Sequence, residues 1–378
     1  MKMEKGYPVC DGCKYSSLHY CTKYNKECLS INLGLTRYQL PCSDCLIEDS
    51  YEFGFNDNKE VSNKTIGYFH LPGPENLDIF LPIIKMREHY PEIYYENRVI
   101  SEIYGSFPGA IWNGRTPNYG GPSFTIQEID KIRRDIENLG LSLNLTWNNH
   151  LVSGTDVYDR FCNSITEVFH NGKHSITVAS PELFKYLKEK YPNFTYYQSV
   201  ISTSNDKEGL VKKDSDFDYF LWTRSLNNNW EELNKVPMEE RPYIEFLCND
   251  ACTPICKRMG HYNIVNKQLL NRSDERYFIG TYCTIDHDFI RYNAKRWPVT
   301  IGPEHIDKYL ENGYQHFKLC SRGDQKAILA LKIIPYLVKP EYVEDVFGWC
   351  MCSQCEPENI YRLALPYGHE EVKYDNND

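Results

Sequence analysis

From residue 65 onward, short runs of apolar and β-branched residues alternate with longer amphipathic segments. Eight of the short runs have the length and composition of buried parallel strands. They span residues 65–71, 99–105, 141–147, 174–179, 194–201, 217–223, 243–248 and 316–320. The hydrophobic pattern therefore predicts eight strands with helices between them.

The best helix signal begins at Thr125, which is followed three residues later by Glu128. This spacing is a capping box, and isoleucines at 126, 129, 132 and 136 then follow one helical face until Gly140. Eight strands with interleaved helices favour an α/β fold of the (β/α)8 TIM-barrel type, with an open doubly wound sheet as the alternative.

A barrel of this type places its chemistry where the strands end, at the C-terminal mouth. Polar candidates at predicted strand ends include His70, Arg224 and Arg322. The connection after the seventh strand, residues 252–303, is longer than an ordinary loop and is expected to fold over the mouth. His261 lies within it and, with the other three, is a candidate catalytic residue.

The chain of 378 residues is 41% hydrophobic and has no 18-residue apolar stretch, so no membrane association is expected. The N-terminal residues lack the apolar centre of a signal peptide, which predicts a cytoplasmic protein with reduced thiols. A net charge of −10 argues against a globally basic surface for nucleic acid, although a local RNA contact remains open.

The fifteen cysteines are odd in number and clustered, which favours metal binding over a disulfide framework. Cys252 and Cys256 follow the seventh strand and, with Cys283, could bind an iron–sulfur cluster, because short loops can serve neighbouring iron atoms. A fourth ligand could come from Cys162, Cys248 or Cys320, and zinc is the competing metal. The alternative for an isolated cysteine in an apolar run is that it is a buried hydrophobic residue of the core and not a metal ligand.

Both ends of the chain are also rich in cysteine. In residues 1–62, Cys10, Cys13, Cys42 and Cys45 form two C-x2-C pairs that resemble a zinc ribbon. The tail, residues 346–378, adds Cys350, Cys352 and Cys355, which leaves a second iron–sulfur cluster open as an alternative to zinc. Because barrel termini are commonly close, the N-terminal module is expected to pack with this tail beside the barrel of residues 63–345.

Several of these residues resemble a known family. Glu245, the Cys252 and Cys256 loop, Cys283 and the Gly-x3-Phe-Lys-x3-Arg segment of residues 313–322 are similar to the collagenase-like peptidase family of uncertain catalytic type. The resemblance covers about residues 65–345. It departs at Cys320 and Ser321, where the family has Glu-Gly.

The resemblance implies an iron–sulfur barrel protein, because better-understood relatives hydroxylate ubiquinone precursors or RNA without oxygen. It implies a [4Fe-4S] cluster held by Cys252, Cys256 and Cys283, with Cys162 as the chosen fourth ligand. The implied partners are a small-molecule or RNA substrate and a redox partner.

Neither His-Glu-x-x-His nor Gly-x-Ser-x-Gly occurs in the chain, so proteolysis is not expected. The expected function is therefore modification of the substrate by oxygen-independent hydroxylation or related cluster chemistry. The alternative is a non-catalytic iron–sulfur or zinc protein that serves electron transfer or scaffolding.

Overall fold

The computed structural model describes residues 65–114, 124–202, 216–249, 258–272, 300–320 and 326–352, together with short N-terminal strands. Those strands are β1 (Ser16–Ser17), β2 (Tyr20–Cys21), β3 (Lys26–Glu27), β4 (Ser30–Leu33) and β5 (Thr36–Gln39). The first three form an antiparallel sheet, and β4 pairs with β5. The predicted packing of this module with the C-terminal tail lies outside the described residues.

Eight further strands form a closed barrel in which every neighbouring pair is parallel. They are β6 (Gly67–Pro72), β7 (Arg98–Gly105), β8 (Ser142–Trp147), β9 (Ser175–Val178), β10 (Thr195–Gln198), β11 (Tyr219–Leu221), β12 (Ile244–Leu247) and β13 (His316–Lys318). Pairing of β13 with β6 closes the sheet, which confirms the predicted barrel and excludes the open sheet.

Helices connect the strands on the outside of the barrel. They are α1 (Leu77–His89), α2 (Ile126–Asn138), α3 (Arg160–Phe169), α4 (Pro181–Lys190), α5 (Trp230–Leu233), α6 (Arg258–Asn271), α7 (Ile306–Glu311), α8 (Lys326–Leu337) and α9 (Val343–Cys352). Short 3-10 turns span Pro74–Asn76, Pro91–Ile93, Gly154–Tyr158, Arg224–Leu226, Arg241–Tyr243, Pro303–His305 and Pro340–Tyr342. The Thr125 and Glu128 capping box begins α2 as predicted.

The main apolar core lies between the outer face of the barrel and its helices. Outward residues such as Phe69, Leu143 and Phe317 are fully buried there. Helix α8 is buried on nearly all sides because α9 packs against its outer side. Helix α9 spans the predicted domain boundary at residue 345, and its Val346 and Phe347 belong to the same core.

Polar side chains fasten the N-terminal end of the barrel. His174, just before β9, accepts a hydrogen bond at Nδ1 from the backbone N–H of Leu143, and its Nε2 donates to Glu137 Oε1 at 3.0 Å. Burial lowers the pKa of His174. Its hydrogen bond to Glu137 acts to raise that pKa, but the effect of burial is larger. Burial acts to raise the pKa of Glu137. Hydrogen bonds from Arg133, Asn171 and His174 have the larger, opposite effect and lower this pKa to about 2. In barrels of this type the N-terminal end contributes stability, and the active site lies at the C-terminal end.

Candidate active site in the barrel interior

The inner face of the barrel is polar, whereas the interior of a TIM barrel is usually filled by branched apolar side chains. Side chains alternate along each strand between the interior and the helices. On β8, Leu143 and Leu145 face the helices, while Asn144 and Thr146 face inward. The same alternation brings residues of several strands together on the barrel axis: His70, Glu102, Asn144, Thr177, Glu245, His316 and Lys318.

An ion-pair network forms where β6, β12 and β13 are adjacent. His70 Nδ1 donates a hydrogen bond to Glu245 Oε1, and Lys318 Nζ lies 3.5 Å from Glu245 Oε2. All three side chains are almost completely buried. The Lys318 ammonium also lies 4.2 Å from the centre of the Tyr104 ring, whose hydroxyl donates to the Leu319 carbonyl. We name this group of His70, Glu245 and Lys318 the axial network.

A second carboxylate reaches the same histidine from the opposite side. Glu102 Oε2 lies 3.6 Å from His70 Nδ1, and Glu102 Oε1 accepts hydrogen bonds from Ser142 and Ser175 at 3.0 and 2.9 Å. Asn144 Nδ2 contributes a longer bond of 3.4 Å to Oε2. His70 Nδ1 therefore lies between two carboxylates, and a histidine so placed can move a proton between them.

A β-bulge directs Glu102 to the interior. On β6 and β7, Phe69 pairs with Ile100, but the next residue, His70, pairs with Glu102 because the register shifts there. A regular ladder would place Ser101 opposite His70 and turn Glu102 towards the helices, since a slip of one residue exchanges the faces of a strand. Ser101 is thus the extra residue that brings Glu102 into the barrel.

Electrostatics favour an ionised Glu245. Burial acts to raise the pKa of this carboxyl, but the charge of Lys318 and then that of His70 outweigh it, so the pKa is lowered overall. Burial, and then the charge of His70, lower the pKa of His316 to about 3. At neutral pH His316 is therefore neutral, and its ring lies 5.6 Å from the His70 ring.

On the side of the barrel formed by β10, β11 and β12, the interior is apolar towards the mouth. Tyr197, Leu221 and Leu247 pack together there, and Cys320 contacts them. Burial raises the pKa of Tyr197 well above its ordinary value, so its hydroxyl stays protonated. This apolar group, which we name the mouth cluster, separates part of the axial network from the mouth.

Helix α6, the first helix of the long insertion, lies across the mouth. Its Asn263 Oδ1 and Asn266 Nδ2 bind the two ring nitrogens of His150 at 2.8 and 2.9 Å, and the Asn266 carbonyl accepts from Asn149 at 3.1 Å. His150 and Asn149 follow β8, which is opposite β12 in the barrel order. Tyr262 of α6 packs on Ala179 and Ile201, which follow β9 and β10.

The four predicted catalytic residues have different positions. His70 belongs to the axial network. Arg224 is buried at the mouth end of β11, where it begins a 3-10 turn. His261 lies on α6, and Arg322 lies outside the described residues. Of the four, the structure thus brings His70 close to two carboxylates, those of Glu245 and Glu102.

Glu102 was missed, and Glu245 and Lys318 were singled out only as parts of a family motif. A signal for all three was present in the sequence: each is an isolated charged residue inside a predicted buried parallel strand. Such strands are ordinarily apolar on both faces. A charge in that setting indicates an inner face that carries polar groups.

The described cysteines differ in their access to the mouth. Cys162 and Cys248 are fully buried, and burial raises the pKa of both thiols well above its ordinary value. Cys350 is a buried residue of α9, and burial raises its pKa to about 12. Cys320 is half-buried beside the mouth cluster, and its N–H donates to Asn249, which directly follows Cys248.

The remaining predicted ligands are Cys10, Cys13, Cys42, Cys45, Cys252, Cys256, Cys283 and Cys355, which lie outside the described residues, and Cys352, the last residue of α9. Among the described residues, no three His, Cys, Asp or Glu side chains group in a way that could hold a metal ion. The predicted ligand sets therefore stay predictions. The described part of the chain also has no helix with the length and apolar character needed to cross a membrane.

No family model and no curated protein matches the chain. Among solved structures, the chain is similar to a U32 peptidase, Mk0906, with 15% sequence identity and a TM-score of 0.36. The match covers 71% of this chain and 98% of that chain. At this identity and TM-score the likeness carries no conclusion about activity, and the fold assignment rests on the closed barrel itself.

Proposed function

We propose that this chain is a barrel enzyme in which His70 of the axial network transfers protons during modification of a small molecule or RNA. The observation that supports this proposal is the buried group of His70, Glu245 and Lys318. Burying charged groups is costly, and well-packed apolar residues are often at least as stabilising in their place. Ionisable groups that are buried together in this way cluster at functional sites.

We further propose that the enzyme holds a [4Fe-4S] cluster and acts by oxygen-independent hydroxylation or related cluster chemistry. Cys252, Cys256 and Cys283 are the proposed ligands, with one of Cys162, Cys248 and Cys320 as the fourth. Of these three, Cys320 suits a ligand best, because it is half-buried and its amide is bonded to Asn249, near the start of the Cys252 loop. Such a cluster supplies electron transfer or, with three thiolates, an open iron site.

The residues of the chain itself have separate roles in this proposal. Glu245 accepts from Nδ1 of His70 and so orients the ring. Lys318 lowers the pKa of Glu245, which keeps this carboxylate ionised. Helix α6, bound to the loop after β8, limits the access of water to the mouth.

Anaerobic purification of the full chain with iron, sulfide and zinc analysis tests the cluster. The expected result is iron and sulfide in about equal amounts with absorption at ~400 nm, and loss of most of both in Cys252→Ala. A matched Cys162→Ala variant keeps its cluster if Cys320 is the fourth ligand and loses it if Cys162 is. Zinc alone, without that absorption, would contradict the cluster.

The alternative is a non-catalytic iron–sulfur or zinc protein for electron transfer or scaffolding. The mouth cluster of Tyr197, Leu221 and Leu247 is the observation that favours it, because apolar side chains fill one side of the mouth. Zinc or a second iron–sulfur cluster at the cysteine-rich ends, held by Cys10, Cys13, Cys42 and Cys45 with the tail cysteines, is compatible with either function. Metal content of a Cys10→Ala and Cys13→Ala double variant separates this site from the one near the mouth.

A further inference from the structure

Among the described residues, the side chains between the axial network and the N-terminal end of the barrel are more exposed than the network itself. Inward-facing residues at the starts of their strands, namely Tyr68, Ser142 and Tyr219, are all partly exposed. One layer further in, the Glu102 side chain is 11% exposed, whereas the side chains of His70 and Glu245 are 1% and 0% exposed. Exposure therefore falls along the barrel axis from Ser142 to Glu102 to His70.

The opposite end offers His70 less access among the described residues. The mouth cluster of Tyr197, Leu221 and Leu247 is 2% to 4% exposed and lies towards the mouth. The His70 ring packs edge-on against Tyr197 at 6.0 Å. Helix α6 lies beyond this cluster and is fastened by His150 and Asn149.

Polar atoms form a continuous series from the N-terminal end to the axial network. Ser142 Oγ donates to Glu102 Oε1 at 3.0 Å, Glu102 Oε2 lies 3.6 Å from His70 Nδ1, and Nδ1 donates to Glu245 Oε1. The distance between Glu102 Oε2 and His70 Nδ1 is slightly longer than a hydrogen bond. Ser175 and Asn144 hold the carboxyl in place.

We propose that Glu102 is a proton relay that connects water at the N-terminal end of the barrel with His70, so that His70 is reprotonated from the end opposite the mouth. The inference rests on the proposed role of His70 in proton transfer. In one transfer, the imidazolium form of His70 gives its Nδ1 proton to Glu245 and becomes neutral, and protonated Glu102 then gives its proton to the free Nδ1, which restores the imidazolium. Glu102 is left ionised and takes a proton from water or a buffer acid, so that one proton moves inward.

The test is the exchange of the His70 Nδ1–H proton with water, measured by NMR on the full chain with ¹⁵N-labelled histidine and without substrate. We expect Glu102→Gln, which keeps the size of the side chain and removes the titrating group, to slow this exchange about tenfold or more. Asn266→Ala, which loosens α6 at the mouth, is the matched control and is expected to leave the rate within about twofold. A structural role of Glu102 alone does not slow exchange.

An unchanged rate in Glu102→Gln, or faster exchange in Asn266→Ala, overturns the relay and indicates that protons enter through the mouth. If Glu102→Gln does not fold, Ser142→Ala provides the same test, because it removes only the outermost donor and is expected to slow exchange. The measurement needs neither cluster nor turnover. Failure of the proposed function would therefore appear in metal content or activity, while failure of the relay would appear in the exchange rate.

Discussion

At the scale of single residues, the charge balance around Glu245 determines what the barrel interior can do. This carboxylate is fully buried and contacts both His70 and Lys318, so its negative charge compensates the positive charge of each partner. The sequence identified Glu245 as part of a motif and His70 as a strand-end candidate, but it gave no sign that they touch. Their contact depends on strand register and barrel closure, which local sequence patterns do not specify.

Glu245→Gln tests whether the axial network is charged. The substitution keeps the shape of the side chain but leaves Lys318 and His70 with less compensation, and breaking a buried ion pair is expected to lower the free energy of unfolding by about 3 to 5 kcal/mol. Urea unfolding measures this change. Glu88→Gln, which removes the exposed pair of Glu88 with Lys85, is the control and is expected to change stability by less than about 1 kcal/mol. Equal stability of both variants would show that Glu245 is not ionised.

At the scale of elements, prediction from the sequence was most successful. All eight barrel strands were predicted, and their observed ends differ from the predicted ones by three residues or fewer. Burial of both strand faces gave short apolar runs, and the Thr125 capping box fixed the start of α2. The bulge at Ser101 was not predictable, because it arises from pairing between β6 and β7 and leaves no local pattern.

Helix α6 provides a prediction at this scale. Asn266→Ala removes the bond to His150 Nδ1, and loss of one partly buried hydrogen bond is expected to lower the stability of the helix against local opening by about 1 kcal/mol. Hydrogen exchange measured on peptides from 258–271 should become faster, while peptides from α2 should not change. Lys267→Ala, an exposed change on the same helix, is the control. Equal exchange in both variants would mean that His150 does not fasten α6.

At the scale of the whole molecule, the histidines and carboxylates with lowered pKa values make stability fall on acidification. The pKa values of His316 and His174 are lowered in the folded protein, so the unfolded chain binds protons first as the pH falls below about 6.5. The lowered pKa values of Glu245 and Glu137 act in the same sense below about 4.5. The stability that these histidines and carboxylates contribute is therefore fully present above about pH 7 and is lost progressively on acidification.

We expect protonation of His316 in the unfolded chain to lower the free energy of unfolding by about 1.4 kcal/mol per pH unit between pH 6 and pH 4. His316→Gln should reduce that slope by the contribution of one proton, since the folded-state pKa of His316 is about 3. Urea midpoints at pH 7.5, 6 and 5 measure the effect, with exposed His89→Gln as the control. An unchanged slope in His316→Gln would show that His316 is not held neutral.

The bulge at Ser101 has a consequence for which side of the barrel receives an acid. Glu102 faces the axis only because β7 contains one residue more than the ladder with β6 requires. A strand without that residue would present the same glutamate to the surrounding helices. One additional residue, with no change of residue type, thus decides whether this strand supplies an acid to the barrel axis or to its outer layer.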